Sequence, residues 1–130
     1  MRTTSKALVC GLLEDNGRAL FLKRIDKNKK ETLELPCFSH FSGDPIKQLA
    51  EDFLRQTGID AEVRETAFET RHNAGSRRRK QWVPCLVFRM RAKSMSAKPS
   101  SEFAGYKWLS LNDAKKLRLA RNAEWILLLR

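Results

Sequence analysis

Four consecutive cations, Arg77-Arg78-Arg79-Lys80, form the densest charge in this 130-residue chain. They belong to an excess that lies in one half. Residues 1–65 carry 11 basic and 11 acidic side chains, whereas residues 66–130 carry 15 basic and 4 acidic, which places the whole net charge of +11 in the second half. A one-sided basic field attracts phosphate, whether on a nucleotide, RNA or DNA. The plainer alternative is a solvated basic surface that aids solubility. The other reactive residue types are isolated. His40 and His72 lack the spacing of metal ligands, although His40 could line a cleft. Cys10, Cys37 and Cys85 are an odd set without a C-x-x-C pair, which argues against a disulfide framework or a zinc knuckle. Cys10 and Cys85 read as buried strand residues, with Cys37 more exposed. Trp82, Trp108 and Trp125 stand in apolar contexts and read as core rather than as platforms for stacking bases.

The elements that must position these residues follow from composition and pattern. The length suits one domain, and 42% apolar residues can bury a core without disulfide help. No apolar run approaches the ~18 residues of a membrane span. Ala7–Leu13 is apolar but is followed at once by Glu14 and Asp15, so it reads as a strand and not as a signal segment. The expectation is a soluble, cytoplasmic single domain over residues 1–130 with no membrane partner.

Lys6–Leu13 and Arg18–Arg24, separated by a gap containing Asn16-Gly17, predict a β-hairpin. Ile25–Thr32, rich in Lys and Asp, reads as a mobile loop. Leu33–Phe41 is strand-like, with Pro36 interrupting it. Asp44 can cap a helix and Pro45 suits its first position. Ile46, Leu49, Ala50, Phe53 and Leu54 then recur at helical spacing, and Gly58 ends the helix. Ala61–Thr70 and Gln81–Ala92 read as strands joined by a basic loop, Arg71–Lys80. Ser94–Ser101 is linker-like and Tyr106–Leu109 a short strand. Ser110 to Asp113 resembles a capping box, and Asn122 is placed to cap a final apolar helix. Strands before and after a central helix, then terminal helices, give an α/β (α+β mixed) class with a mixed sheet.

Four phrases in this order resemble the Nudix (MutT-like) hydrolase family. Arg18-Ala-Leu-Phe-Leu-Lys-Arg24 is similar to the family's second strand. Leu33-Glu-Leu-Pro36 resembles the "W-E-L-P" approach to the Nudix box, and Gln56-Thr-Gly-Ile59 its "E-T-G-L" ending. Glu102-Phe-Ala-Gly-Tyr-Lys-Trp-Leu-Ser-Leu111 is similar to the late "E-x-x-x-x-x-W-V-S-L" segment. The resemblance covers nearly the whole chain. It implies an α/β/α sandwich around a mixed sheet, and hydrolysis of nucleoside-diphosphate-linked substrates with Mg²⁺ or Mn²⁺. A homodimer is also implied by family analogy.

The family box, G-x5-E-x7-R-E-U-x-E-E-x-G-U, puts glutamates on one helix face, where they hold the metal against a diphosphate. With the register set by Gly58-Ile59, the Arg-Glu pair falls on Glu51-Asp52 and the Glu-Glu pair on Arg55-Gln56. Asp52 keeps a carboxylate where the family has a metal ligand, with Glu51 and Asp44 nearby. Arg55 puts a cation at a ligand position, and Gln56 a neutral amide, a poor donor for a hard divalent ion.

Two readings follow. In the first, Asp52, Glu51, Asp44 and Glu102 assemble an atypical hydrolase site, with Asp52 on the metal. In the second, the box no longer catalyses and the domain binds nucleotide or RNA phosphates. Arg55 then pairs directly with phosphate, and Arg24, Arg71, Arg77, Arg78, Arg79 and Lys80 extend the field.

Overall fold

The computed structural model describes residues 5–129. Its elements are β1 (Ser5–Asp15), β2 (Arg18–Ile25), β3 (Glu31–Glu34), β4 (Cys37–Phe41), α1 (Pro45–Thr57), β5 (Ala61–Asn73), β6 (Trp82–Ala92), β7 (Gly105–Leu109) and α2 (Leu111–Ala114), closed by a 3-10 helix over Arg121–Leu128. The strands run β3-β2-β1-β6-β5, with β4 also pairing with β1 and β7 with β2. The β1–β6 pair is parallel and the others are antiparallel, so the sheet is mixed.

The apolar run Ala7–Leu13 is explained by the position of β1. Val9 and Leu13 face α1, packing with Leu49, Phe53 and Met90. Leu8, Cys10 and Leu12 face the opposite layer, where Trp125 and Ile126 of the 3-10 helix cover them. Alternate residues of one strand therefore feed two cores, and the layers are helix, sheet, helix. Among the described residues, no helix is long and apolar enough to cross a membrane.

The first hairpin turns at Asn16 (φ 54°) and Gly17 (φ 77°), the left-handed pair that a two-residue connection requires. The stretch expected as a mobile loop is instead a second hairpin. β2 runs on to Ile25 and β3 starts at Glu31. Between them the Asp26 carboxylate accepts the N–H groups of Asn28 and Lys30, each at 2.9 Å. The bond from Lys30, followed by that from Asn28 and the charges of Arg118 and Lys30, holds the Asp26 carboxyl below its ordinary value. Pro36 stands where the chain leaves its pairing with β2 and takes up pairing with β1.

Helix α1 starts and stops as its sequence indicates. Asp44 accepts the Ile46 N–H at 2.9 Å, and Gly58 (φ 75°) donates its own N–H to Leu54 O at 2.8 Å. Its buried face departs from the apolar stripe. Leu49 and Phe53 are buried, but Ile46 and Leu54 are exposed, and Gln56 and Thr57 are buried in their place. Thr57 can be buried because its hydroxyl donates to Phe53 O (2.7 Å) and accepts from Ile59 N (3.1 Å). The linker-like segment lies along this helix end, with Lys98 N donating to Thr57 O at 2.7 Å and Ser100 N to Gln56 O at 3.1 Å. These bonds satisfy carbonyls that a helix terminus leaves unpaired.

Three further expectations are corrected. Strand β5 extends to Asn73 and β6 begins one residue late, at Trp82, so Arg71 belongs to a strand and the basic loop shortens to 74–81. Trp82 is exposed rather than core. The final helix is 3-10, and Ala120, without a side-chain bond, occupies its cap. Asn122 lies inside it, its carbonyl accepting from Trp125 Nε1 at 3.0 Å.

Gly58 tests the seam between α1 and the 94–101 segment. The backbone there is held at positive φ, which strains any residue with a Cβ, and that Cβ would lie 2.7 Å from Lys98 O. Gly58→Ala is expected to cost about 2 kcal/mol in urea unfolding, since left-handed backbone alone costs about 1–2 kcal/mol. An unchanged midpoint would contradict the packing described.

Candidate functional site

Gln56 fixes the site's base. Its buried amide accepts the Cys37 N–H at 3.3 Å and donates Nε2–H to Cys37 O at 2.9 Å. One side chain thus completes the backbone pairing of β4 and ties it to α1.

Beside this clamp runs a row of alternating charges. Glu34 of β3 is buried, only 3% exposed, and the Arg24 guanidinium of β2 donates to it. Arg24 Nη2 also lies 3.6 Å from Glu102 Oε2. Its guanidinium rests 4.6 Å from the Phe103 ring centroid, within cation–π range. Glu102 Oε1 accepts from Arg55 Nη1 and from Ser100 Oγ, both at 3.1 Å. Arg55 Nη2 is 3.7 Å from Asp52 Oδ1, and Gln48 Nε2 donates to Asp52 Oδ2 at 3.3 Å. The order is Glu34, Arg24, Glu102, Arg55, Asp52: three carboxylates interleaved with two guanidiniums. Partial burial works against the charge on Arg24. The hydrogen bond and charge of Glu34, with the charge of Glu102, outweigh it and hold the group above its ordinary pKa. The Arg55 side chain is 59% exposed, so its individual ion pairs are worth little; their effect is positional.

The remaining acidic candidates occupy a shallow depression lined by Ser42, Asp44, Lys47, Gln48, Glu51 and Asp52. Asp44 is engaged as the helix cap, and Glu51 is exposed. Arg71, Arg77, Arg78, Arg79 and Lys80 belong to the β5–β6 hairpin and join none of the ion pairs above.

The divalent cation associated with Nudix hydrolases does not fit this donor set. The Arg55 guanidinium stands between Asp52 and Glu102, and both functional ends of Gln56 are bound to Cys37. Among the described residues, no three His, Cys, Asp or Glu side chains are grouped to hold a metal ion.

A cavity of about 220 Å³ adjoins the row. Lys6, His40, His72, Asn73, Arg121 and Asn122 contribute to its lining. Asn122 connects the two, its Nδ2 facing Glu34 Oε2 at 3.5 Å. His40 is exposed, its ring Nδ1 within 3.0 Å of Ser39 Oγ. His72 is buried; burial first, and then the Arg121 charge, lowers its pKa against the opposing effect of Glu124. Sequence reasoning missed three contributors: Glu34, the Gln56 clamp and Asn122. Only Glu34 left a signal, as an acid between Leu33 and Leu35 in an otherwise apolar phrase.

The same architecture recurs in solved structures. A MutT Nudix hydrolase from Burkholderia pseudomallei superposes with a TM-score of 0.70 at 16% identity, over 94% of this chain and 95% of that one. A MutT protein from Methanosarcina mazei gives 0.67 at 21% identity, over 88% and 84%. An ADP-ribose pyrophosphatase from Streptococcus suis gives 0.69 at 14% identity, over 94% and 84%. No family model matches the sequence, and no curated protein matches it significantly. The molecule is a Nudix-fold protein. The likeness lies in the path of the backbone, while the side chains of the box are this chain's own.

Two outcomes test the geometry. Gln56→Ala leaves the partly buried Cys37 N–H and C=O without their partner and is expected to cost about 1–3 kcal/mol in chemical unfolding. Gln56→Glu keeps an acceptor for the Cys37 N–H but aims a second oxygen at Cys37 O, so it too is expected to destabilise. The folded His72 pKa lies below its unfolded value of about 6.5, so the fold favours the neutral ring. That stability is fully present above about pH 6.5 and is lost as pH falls toward the folded value. The thermal midpoint of the parent is therefore expected to fall between about pH 7 and 5 more steeply than that of His72→Gln.

Proposed function

We propose that this chain binds the phosphate of a nucleotide in its Nudix cleft without metal-dependent cleavage. The observation that carries the reading is Glu102 lying between two guanidiniums, with Arg55 also reaching Asp52. A carboxylate there marks a place for an anion. Glu102 is exposed, and a phosphate, with more charge and three acceptor oxygens, competes for the same planar donors. The adjoining cavity, at about 220 Å³, is smaller than the ~300–1,000 Å³ of typical ligand pockets and suits one ring system of such a ligand. Diphosphate compounds are the first candidates, in keeping with the activity that names the Streptococcus suis neighbour.

The row carries one more negative than positive group, so binding requires displacing Glu102 rather than filling an empty positive site. This sets a clear expectation for calorimetry with a panel of nucleoside diphosphates. Binding persists in a chelator, weakens with salt, weakens about tenfold or more in Arg55→Ala, and tightens in Glu102→Gln; loss of a charged hydrogen bond is worth about 1.5–3 kcal/mol. Mn²⁺ binding that depends on Asp52, with turnover of one panel member, would overturn this reading. It would instead support hydrolysis by Asp52, Glu51, Asp44 and Glu102.

A further inference from the structure

The far end of the β5–β6 hairpin combines an open aromatic ring with unpaired cations. In the strand register, Arg71 stands opposite Pro84, His72 opposite Val83 and Asn73 opposite Trp82. Side chains alternate along a strand, so Arg71, Pro84 and Trp82 share one face while His72 points inward. Of the three tryptophans, Trp125 is buried, Trp108 is half-buried and Trp82 is 46% exposed. The Arg71 guanidinium lies 4.4 Å from the Trp82 ring centroid.

The loop beyond is tightly built. Asn73 Oδ1 accepts the N–H groups of Gly75 and Gln81, each at 3.0 Å, and Asn73 Nδ2 donates to Ser76 O at 3.1 Å. Ser76 N donates to Arg79 O at 3.0 Å, and Ser76 Oγ accepts the Arg79 N–H at 2.9 Å. Arg121, from the 3-10 helix, donates to the carbonyls of Asn73 and Gly75. This framework presents Arg77, Arg78, Arg79 and Lys80 to solvent, all exposed and without an ion-pair partner among the described residues. The exposed Glu69, opposite Leu86, is the acid on the same strand face.

We infer that this hairpin end is a binding surface for single-stranded nucleic acid. The cations track phosphates, and the Arg71–Trp82 stack offers a π-face to an unpaired base. Single strands are favoured over duplex because a paired base keeps its faces inside its own stack. Lipid is disfavoured because loop 74–81 carries no large apolar side chain to insert. The surface uses none of the residues of the Glu34-to-Asp52 row, so the two readings can fail separately.

The test is Trp fluorescence and anisotropy on the full chain with short oligouridylate and oligothymidylate. Controls are a duplex of equal length, free uridine monophosphate and vesicles containing phosphatidylserine. Expected is quenching by both single strands, with log affinity falling against log salt at a slope of about −3 for four phosphate contacts. The strand that binds more tightly identifies RNA or DNA as the source. Trp82→Ala is expected to weaken binding about tenfold or more, whereas Trp82→Phe keeps most affinity but loses the quenching. Replacing Arg77, Arg78, Arg79 and Lys80 with Gln removes most of the salt slope. These positions are exposed, and circular dichroism is to check that each variant folds. Equal binding of duplex, binding of vesicles but not oligonucleotides, or affinity unaffected by the Trp82 and loop variants would each overturn the assignment. Arg55→Ala is expected to leave oligonucleotide affinity unchanged, which separates this surface from the nucleotide cleft.

Discussion

The architecture depends on a strand with no free edge. β1 pairs with β4 along one side and with β6 along the other, and its last residues pair with β2. A strand enclosed in this way, with helices over both faces, must be apolar at consecutive positions, as Ala7–Leu13 is. Its neighbours are then constrained in turn. At Gly11 a Cβ would lie 2.7 Å from the Phe53 ring, so α1 approaches the sheet there as closely as a missing side chain allows. The fully buried Phe53 ring contributes about 1.5–3 kcal/mol by leaving water. With Phe53 seated, Gln56 comes round one turn later to meet the backbone of Cys37, which pairs with Cys10 of the same central strand.

The charged row depends on that seating. Burying the Glu34 carboxylate would be costly without a partner, so Arg24 is required beside it. Arg24 is only partly covered, and its outward side meets Glu102. Glu102 is in turn shared with Arg55, on the exposed side of α1. Pairing therefore passes outward from a buried acid to groups that are all partly open to water. The inner pair is a requirement of the core, whereas the outer pairs are weak enough to exchange.

Much of this was legible in the sequence, for identifiable reasons. The first hairpin, α1 and its two caps are encoded locally, by Asn16-Gly17, Asp44-Pro45 and Gly58, whose conformational demands do not wait for tertiary contacts. The mixed sheet followed from pattern and resemblance. Errors arose where distant groups decide. The Asp26 turn is held by side-chain bonds that polar composition alone represents as a loop. The buried face of α1 includes Gln56 because β4 supplies partners for its amide, and no helical periodicity can announce that. Trp82 looked like core because its neighbours in sequence are apolar, but strand alternation turns it outward. Asp52, Arg55, Glu102 and Arg24 are legible as candidates and stand together, while Asp44 and Glu51 line a shallow depression that meets this row only at Asp52. Asn122 becomes visible only through the three-dimensional proximity that brings it to Glu34 and the cavity, whereas Glu34 leaves a faint trace as an acid between two leucines.

The positive charge between Asp52 and Glu102 is a side chain of α1 and so is supplied once per molecule at synthesis. It cannot dissociate, be withdrawn by a competing chelator, or be exchanged for a neighbouring ion of the transition series, a choice that sites for free divalent ions must make through geometry and availability. Its position is set by helix register rather than by coordination number. The charge order of this surface is therefore independent of the cell's divalent-ion supply and remains sensitive to ionic strength.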